Sequence, residues 1–158
     1  MKILLTGHDG YIGTAMLPVL QDAGHQVIGL DTHFYSSCSF GSAVESTPSS
    51  ELSVDVRDIS PRHLEGVDAV IHLAALSNDP LGNLDPELTY AINHGASVRL
   101  AEIARDAGAD RFLFASSCSL YGVAEEGTVL DESAEFNPIT PYGETKVMVE
   151  RDLSELAG

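Results

Sequence analysis

A tyrosine and a lysine one helical turn apart are the residues of this sequence best suited to acid–base chemistry. Tyr142 and Lys146 lie four positions apart, so in a helix they share a face. Free tyrosine, with a pKa of about 10, is a poor base at neutral pH, but a neighbouring ammonium favours the phenolate. Such a tyrosine can exchange a proton with a substrate hydroxyl while a hydride moves to a cofactor. The alternative is an aromatic ring that only packs against the lysine stem.

A run of small polar residues could assist that chemistry. Ser116-Ser117-Cys118-Ser119 closes a predicted strand, Arg111–Ser116. Ligands of open α/β sheets bind beyond the carboxyl ends of the strands, where a serine can donate a hydrogen bond to the reacting oxygen. The alternative is that small residues simply close the strand. Cys118 has no activating neighbour in the sequence, so we expect a small buried or lining residue and not a nucleophile.

Three glycines at a spacing of three indicate a phosphate-binding turn. Gly7, Gly10 and Gly13 follow a predicted strand, Ile3–Leu5, and precede a helical pattern that begins at Ile12. In this context the first glycine permits a tight turn, the second a close approach to a pyrophosphate, and the third close packing of helix on sheet. The helix N-terminus then offers free N–H groups to the phosphates. A purely structural turn is the alternative.

An acidic residue follows the second predicted strand at the distance expected for a ribose contact. Asp31 comes directly after Gln26–Leu30, and its carboxylate can accept hydrogen bonds from ribose hydroxyls while repelling a 2′-phosphate. No Lys or Arg stands between Lys2 and Arg57 to hold such a phosphate, which favours NAD over NADP. The alternative is an acid that caps a loop.

A second acidic turn lies in Asp55-Val56-Arg57-Asp58, near the third predicted strand, Leu52–Val56. The carboxylate and backbone here could meet an adenine edge. Aspartate also favours turns for its own hydrogen bonding, so both interpretations stay open.

The elements that must position these residues alternate between strands and helices. This order predicts a Rossmann-type α/β fold, a doubly wound parallel sheet with about five strands present. The predicted strands are Ile3–Leu5, Gln26–Leu30, Leu52–Val56, Asp68–Ala75 and Arg111–Ser116. The predicted helices carry Ile12 to Ala23 with Pro18 inside; Ile92, Ala96, Leu100, Ile103 and Ala107; and Tyr142, Lys146, Val149, Leu153 and Leu156. Thr32–Ser50 and Ala124–Pro141 are predicted loops.

Composition narrows the classes of partner and compartment. The length of 158 residues suits one domain, and the net charge of −16 argues against nucleic acid or an anionic membrane as partner. Two isolated cysteines, without a signal peptide or an apolar run of about 20 residues, fit a reducing cytoplasm. The six histidines show no metal-ligand spacing, so no metal is expected. We expect His72 to be a core residue and His94 to be structural.

Five stretches together resemble the extended short-chain dehydrogenase/reductase family, in its group of NAD-dependent nucleotide-sugar epimerases and dehydratases. They follow the family's order from residue 3 to about residue 150. The stretches are Thr6-Gly7-His8-Asp9-Gly10-Tyr11-Ile12-Gly13, Leu73-Ala74-Ala75, Asn93, Ser116-Ser117-Cys118-Ser119-Leu120-Tyr121-Gly122 and Pro141-Tyr142-Gly143-Glu144-Thr145-Lys146.

The resemblance implies roles for individual residues. Its catalytic group is Ser117, placed by counting back from Tyr121-Gly122, with Tyr142 and Lys146. Its NAD contacts are Gly7, Gly10, Tyr11, Ile12, Gly13, Asp31, Asp55, Val56, Leu73, Ala74, Ala75, Asn93, Tyr142 and Lys146. The implied opening step is oxidation of a sugar hydroxyl: Tyr142 takes the proton, NAD takes the hydride, Lys146 holds the nicotinamide ribose and Ser117 polarises the oxygen.

The sequence departs from the family pattern in two respects. Sugar 4,6-dehydratases carry an Asp-Glu pair where this chain has Cys118 and Ser119, which favours an epimerase (an isomerase) or a simple oxidoreductase. Family members usually exceed about 300 residues, so we expect residues 1–158 to be an incomplete NAD-binding Rossmann domain. The later strands and a C-terminal substrate-binding domain would lie outside this chain, which alone should not epimerise a nucleotide-sugar.

Two other functions stay open at the level of sequence. One is an NAD-dependent dehydrogenase or reductase of a non-sugar alcohol or ketone. The other is a non-catalytic NAD-binding sensor module, which would not need Ser117, Tyr142 and Lys146. For the assembly state, we expect an open sheet edge to favour a homodimer.

Overall fold

The computed structural model describes residues 1–38, 46–124, 127 and 129–157. They form two compact units. The first comprises Met1–Ala75 with Arg99–Ala115, and the second comprises Leu76–Val98 with Ser116–Gly158.

A five-stranded parallel sheet in the order β3-β2-β1-β4-β5 is the frame of the first unit, and it confirms the Rossmann-type prediction. Apolar runs form its central strands because both faces of a parallel sheet are covered. Leu4, Leu5, Val27 and Val70 are fully buried. The strands are β1 (Lys2–Thr6), β2 (Gln26–Asp31), β3 (Ser50–Ser53), β4 (Ala69–His72) and β5 (Arg111–Phe114).

The predicted bounds of three strands are wrong. β3 begins two residues before Leu52 and ends at Ser53, because the Asp55 carboxylate accepts a hydrogen bond from the Arg57 N–H and starts the 3-10 turn Val56–Asp58. β4 stops at His72, short of the predicted Ala75, and β5 stops at Phe114, short of the predicted Ser116. After β4 the chain turns towards β1, where the N–H groups of Leu73 and Ala74 both donate to the Thr6 hydroxyl.

Helix α1 (Tyr11–Asp22) packs on the sheet and continues through Pro18. Its buried Leu17 joins Leu5 of β1 and Val27 of β2 in one apolar cluster. Gly24, with φ of 81°, follows the helix where the sequence predicts its end.

The predicted helix that carries Ile92 to Ala107 is a π-helical segment (Tyr90–Ala96) followed by α4 (Ser97–Asp106). Two short helices precede it, α2 (Asp79–Leu84) and α3 (Pro86–Thr89). The predicted face is partly wrong, since Ile92 is only half-buried and Ala107 is exposed, whereas Asn93 is buried. A π-turn holds one residue more than an α-turn, so it rotates the following positions around the axis.

The second unit ends in helix α5 (Pro141–Ala157), which carries the predicted Tyr142, Lys146 and Val149 on its buried side. Of the predicted loop Thr32–Ser50, Ser36–Cys38 is a 3-10 turn and residues 39–45 lie outside the described residues. Residues 125, 126 and 128 of the predicted loop Ala124–Pro141 also lie outside them. Among the described residues, no helix is long and apolar enough to cross a membrane.

Candidate functional site

The glycine-rich turn lies between β1 and α1, and two of its glycines have no room for a side chain. Gly7 has φ of 71°, and a Cβ there would stand 2.8 Å from the backbone N of Ala74. A Cβ on Gly13 would stand 2.2 Å from the carbonyl oxygen of Gly7. The turn therefore folds tightly on itself and against Leu73 and Ala74, which the sequence assigned to the same site.

The N-terminus of α1 supplies the groups that a phosphate needs. The first helical bond runs from the N–H of Thr14 to the carbonyl of Gly10, and no side chain of the described residues caps this end of the helix. The N–H groups of Tyr11, Ile12 and Gly13 precede that bond, so they have no acceptor within the helix. Tyr11 and Ile12 are exposed beside them. Backbone donors at a helix N-terminus bind anions.

Asp31, the last residue of β2, is held by two backbone donors. One carboxylate oxygen accepts from the N–H of Asp9, at 3.1 Å, and the other accepts from the N–H of His33, at 2.9 Å. The loop-capping role considered for Asp31 is thus present in the structure. It leaves further lone pairs on both oxygens, since an ionised carboxylate offers about four acceptor positions.

Asp55 and Val56 lie in the turn after β3, where the aspartate has a local partner. Arg57 donates to the Asp55 carboxylate from Nε at 3.0 Å and from Nη2 at 2.7 Å. The hydrogen bonds from the Arg57 side chain hold the pKa of Asp55 below its usual value. Val56 is buried. With the carboxylate engaged by Arg57, the backbone of this turn is the part suited to an adenine edge.

In the second unit, the tyrosine and lysine of α5 are both buried. Tyr142 is 9% exposed and Lys146 is 4% exposed, and the ammonium Nζ lies 5.5 Å from the centroid of the Tyr142 ring. Burial lowers the pKa of Lys146 to about 8, with Glu150 opposing that shift. A desolvated cation near the face of an aromatic ring interacts favourably with that ring.

The serine predicted to assist them belongs to the turn that packs on α5. Ser117 caps the 3-10 turn Cys118–Tyr121, and its hydroxyl accepts from the N–H of Ser119 at 3.2 Å. A Cβ on Gly143 would stand 2.7 Å from the carbonyl oxygen of Ser119, so the turn lies directly against the helix, one residue after Tyr142. Cys118 is exposed, which corrects the buried or lining position expected for it.

The Asn93 side chain makes two hydrogen bonds with the backbone of Leu76, which the sequence did not predict. It is 1% exposed in the π-helical segment, where its Oδ1 accepts from the N–H of Leu76 at 2.8 Å and its Nδ2 donates to the Leu76 carbonyl at 3.0 Å. Asn93 thus fixes the backbone that follows Ala75. Neighbouring bonds tie the same segment to α5: the Tyr90 hydroxyl donates to Glu144, and His94 contacts Asp152 at 2.6 Å.

Sequence reasoning missed three residues around Asp31, namely His8, His33 and Glu51. His8 of the glycine-rich turn is 4% exposed, and its Nε2 lies 3.1 Å from Glu51 of β3. His33 contacts Asp9 and Glu51. The position of His8 inside the glycine motif was the one available signal, whereas Glu51 becomes a neighbour only through strand pairing. His72, by contrast, is buried as predicted, with Nδ1 at 2.7 Å from the Thr6 hydroxyl.

Comparison with known proteins identifies the family. The model of the NAD dependent epimerase/dehydratase family matches residues 3–157. The chain belongs to this family. The resemblance to epimerases and dehydratases of the extended short-chain dehydrogenase/reductase type is thereby confirmed. Among the described residues, no group of three or more His, Cys, Asp or Glu side chains gathers as a metal site.

Known proteins similar to this chain include epimerases and a dehydratase. A UDP-glucose 4-epimerase from Neisseria meningitidis serogroup C is 32% identical over 98% of the chain. A UDP-glucose-4-epimerase from Stenotrophomonas maltophila, solved with NAD and formylated UDP-arabinopyranose, is 32% identical with a TM-score of 0.84 over 99% of the chain. An NAD-dependent NDP-hexosamine 5,6-dehydratase involved in tunicamycin biosynthesis is 26% identical with a TM-score of 0.85 over 99% of the chain. The chain spans 48%, 48% and 50% of these proteins, about half their length.

Proposed function

We propose that this chain is the NAD-binding and proton-transferring part of an enzyme that converts a nucleotide-sugar through a transient keto-sugar. The observation that carries the proposal is the buried pair on α5, with the Lys146 ammonium 5.5 Å from the Tyr142 ring and the Ser117 turn against the same helix. A sensor module would gain nothing from burying a lysine beside a tyrosine, because desolvating an ammonium costs free energy.

The glycine-rich turn fits the pyrophosphate of NAD. Its backbone is closely packed, since a Cβ on Gly13 would collide with the turn itself and a Cβ on Gly7 with the backbone of Ala74. The first N–H groups of α1 lie next to it. Asp31 suits the adenosine ribose and disfavours a 2′-phosphate. These features support NAD over NADP, with Gly10, Tyr11, Ile12, Leu73, Ala74 and Ala75 as further contacts of the cofactor.

The residues of the second unit would carry the proton chemistry. NAD supplies the hydride acceptor when it is bound. Tyr142 takes the proton of the sugar hydroxyl, and the Ser117 hydroxyl donates a hydrogen bond to the same oxygen. Lys146, as an ammonium, stabilises the Tyr142 phenolate by charge. Asn93 holds the backbone at Leu76 in place, and so maintains the shape of this unit.

Epimerisation is favoured over dehydration because Cys118 and Ser119 have neither the acid nor the base that eliminating water requires. Both belong to the turn against α5, where the resemblance would place an acidic pair. The second candidate function is oxidation of a non-sugar alcohol by the same three residues. We add to the proposal a cytoplasmic location, consistent with free Cys38 and Cys118, and a homodimer with neither nucleic acid nor membrane as partner.

The test is an assay with NAD and a panel of UDP-, GDP-, CDP- and dTDP-sugars, followed by chromatography. It should use the 158-residue chain and any longer protein of which that chain is part. We expect the longer protein to convert one sugar between its epimers, and the 158-residue chain alone to convert none. Loss of water from the sugar would instead identify a dehydratase. If no sugar reacts but simple alcohols reduce NAD, the second candidate function is correct. Calorimetry with NAD and NADP tests the cofactor separately, and equal affinities would contradict the role of Asp31.

A further inference from the structure

His33 has an unusual backbone conformation directly after the sheet. Its φ of 57° makes it the one non-glycine residue with positive φ in the described ranges 1–38, 46–124, 127 and 129–157. Such a conformation is uncommon for a residue with a side chain, and it persists where the surroundings hold it. In this position the N–H of His33 donates to Asp31 at 2.9 Å.

Both ring nitrogens of His33 face carboxylates. Nδ1 lies 3.2 Å from Oδ2 of Asp9, and Nε2 lies 3.5 Å from Oε1 of Glu51. An ionised carboxylate only accepts hydrogen bonds, and a neutral imidazole donates from one nitrogen only. An imidazolium has a proton on both nitrogens, so it would make both contacts favourable, through a hydrogen bond to Asp9 and through charge to Glu51.

The contacts of the His33 ring with Asp9 and Glu51 form a bridge within the first unit. The bridge joins the glycine-rich turn through Asp9, the segment after β2 through His33, and β3 through Glu51. The two residues whose N–H groups hold the Asp31 carboxylate, Asp9 and His33, are the same two that the bridge clamps together. His8 contacts the bridge at Glu51. Its ring lies edge-on to His33, with 5.7 Å between the ring centroids, and its Nε2 lies 3.1 Å from Glu51.

The charges around His33 are mostly negative. It faces Asp9 from the turn and Glu51 from β3, with Asp31 bound to its own N–H and His8 in edge contact. Without the imidazolium, three carboxylates would stand together on one side of the glycine-rich turn. Their mutual repulsion would open the bridge and release the donors that fix Asp31.

We propose that the His33 imidazolium is a positioning residue for the adenosine end of NAD, holding Asp31 and the glycine-rich turn in the geometry that binds the cofactor. The proposal rests on the NAD site argued above. NAD affinity should then be higher at a pH where the His33 imidazole is charged than at a pH where it is neutral.

The experiment measures NAD affinity of the whole chain by calorimetry at about pH 5.5 and pH 7.5, for wild type and His33→Asn, because Lys146 keeps most of its charge at both values. Asparagine tolerates positive φ, so the variant removes the bridge without straining the backbone. We expect wild type to bind NAD about ten-fold more tightly at the lower pH, because a hydrogen bond to a charged group contributes about this factor to an equilibrium constant. The NAD affinity of His33→Asn should be the same at both pH values and equal to that of wild type at the higher pH. His25→Asn, at the opposite end of β2, is the matched control and should behave as wild type.

Glu51→Gln provides a second variant that leaves the His33 backbone untouched. It removes one carboxylate face of the bridge and should reduce the pH dependence of NAD binding. Equal wild-type affinity at both pH values, or a pH dependence that survives in His33→Asn, overturns the role of His33 while leaving the NAD site intact. Failure of wild type to bind NAD at either pH would instead refute the proposed function.

Discussion

At the residue scale, burial decides how Lys146 behaves. Its side chain is almost fully enclosed in the second unit, and burial lowers its pKa from 10.5 to about 8. The ammonium still predominates at neutral pH, so it can act as the cation beside Tyr142. Because the pKa of Lys146 is lower in the folded chain than in the unfolded chain, the stability of the fold depends on pH.

Stability should rise with pH above about 8 because of Lys146. Between about 8 and 10.5 the unfolded chain binds this proton and the folded chain does not, so the free energy of unfolding increases with pH across that window. From pH 7 to 10 the gain relative to Lys146→Met should be roughly 2–3 kcal/mol, measured by urea denaturation. A constant difference between wild type and Lys146→Met over this range would contradict the burial of the charged lysine.

Tyr142→Phe should remove most turnover and leave NAD affinity within a few-fold. The phenol is assigned proton transfer, which typically contributes about 10²–10⁴ in rate. Turnover is measured with the sugar that the panel identifies, and NAD affinity by calorimetry. Tyr90→Phe is the matched control, since it removes a half-buried phenol of the same unit that bonds to Glu144. Full activity in Tyr142→Phe would mean that this tyrosine only packs.

At the element scale, strand register determines which residues surround the glycine-rich turn. Leu5 of β1 pairs with Gly29 of β2, and Gly29 pairs with Glu51 of β3. Residues 29 and 31 of β2 share a face because side chains alternate along a strand. The His8 ring fills the space above Gly29 and reaches across to Glu51. Gly29 therefore provides the space in which the His8 side chain of the glycine-rich turn packs.

Gly29→Ala should destabilise the fold by about 1–3 kcal/mol, as overpacking in a buried site does. Its Cβ would stand 2.6 Å from Cδ2 of the His8 ring. Chemical denaturation measures the loss of stability. NAD affinity should also fall, because the His8 ring belongs to the glycine-rich turn. The double variant with His8→Ala makes room for the methyl group and should recover part of the stability. No loss in the single variant would show that the ring moves freely.

At the scale of the whole molecule, charge is strongly unbalanced. The chain has 24 acidic residues against 8 Lys and Arg. Several arginines are paired with close sequence neighbours, such as Arg57 with Asp55 and Arg105 with Asp106. Such exposed pairs contribute little stability, and the remaining carboxylates repel one another.

Added salt should stabilise the folded chain. Raising sodium chloride from about 20 to 200 mM shortens the screening length severalfold and weakens that repulsion, so the free energy of unfolding should rise on the order of 1 kcal/mol. Urea denaturation at several salt concentrations measures the change. Potassium chloride at equal ionic strength should give the same result if screening is the cause. A fall in stability with either salt would show that attractive pairs dominate.

Features that depend on local spacing could be predicted from the sequence alone. Glycines three apart, Asp31 after an apolar run, and a tyrosine and lysine one turn apart each follow from the period of a strand or helix. The same periods predicted five parallel strands and α5, and the family motifs reinforced them. Boundaries near Asp55 and Ala75 were wrong because side-chain bonds to Arg57 and Thr6 end those strands.

Contacts between residues far apart in the chain became visible only in the folded structure. The π-helical segment shifts the helix face, so Asn93 is buried and Ile92 is not, an effect that a regular period cannot contain. The contacts of His33 with Asp9 and Glu51 depend on strand pairing and on one residue with positive φ. Such contacts join positions far apart in the chain. Their physical cause is the packing of whole elements, which sequence spacing does not encode.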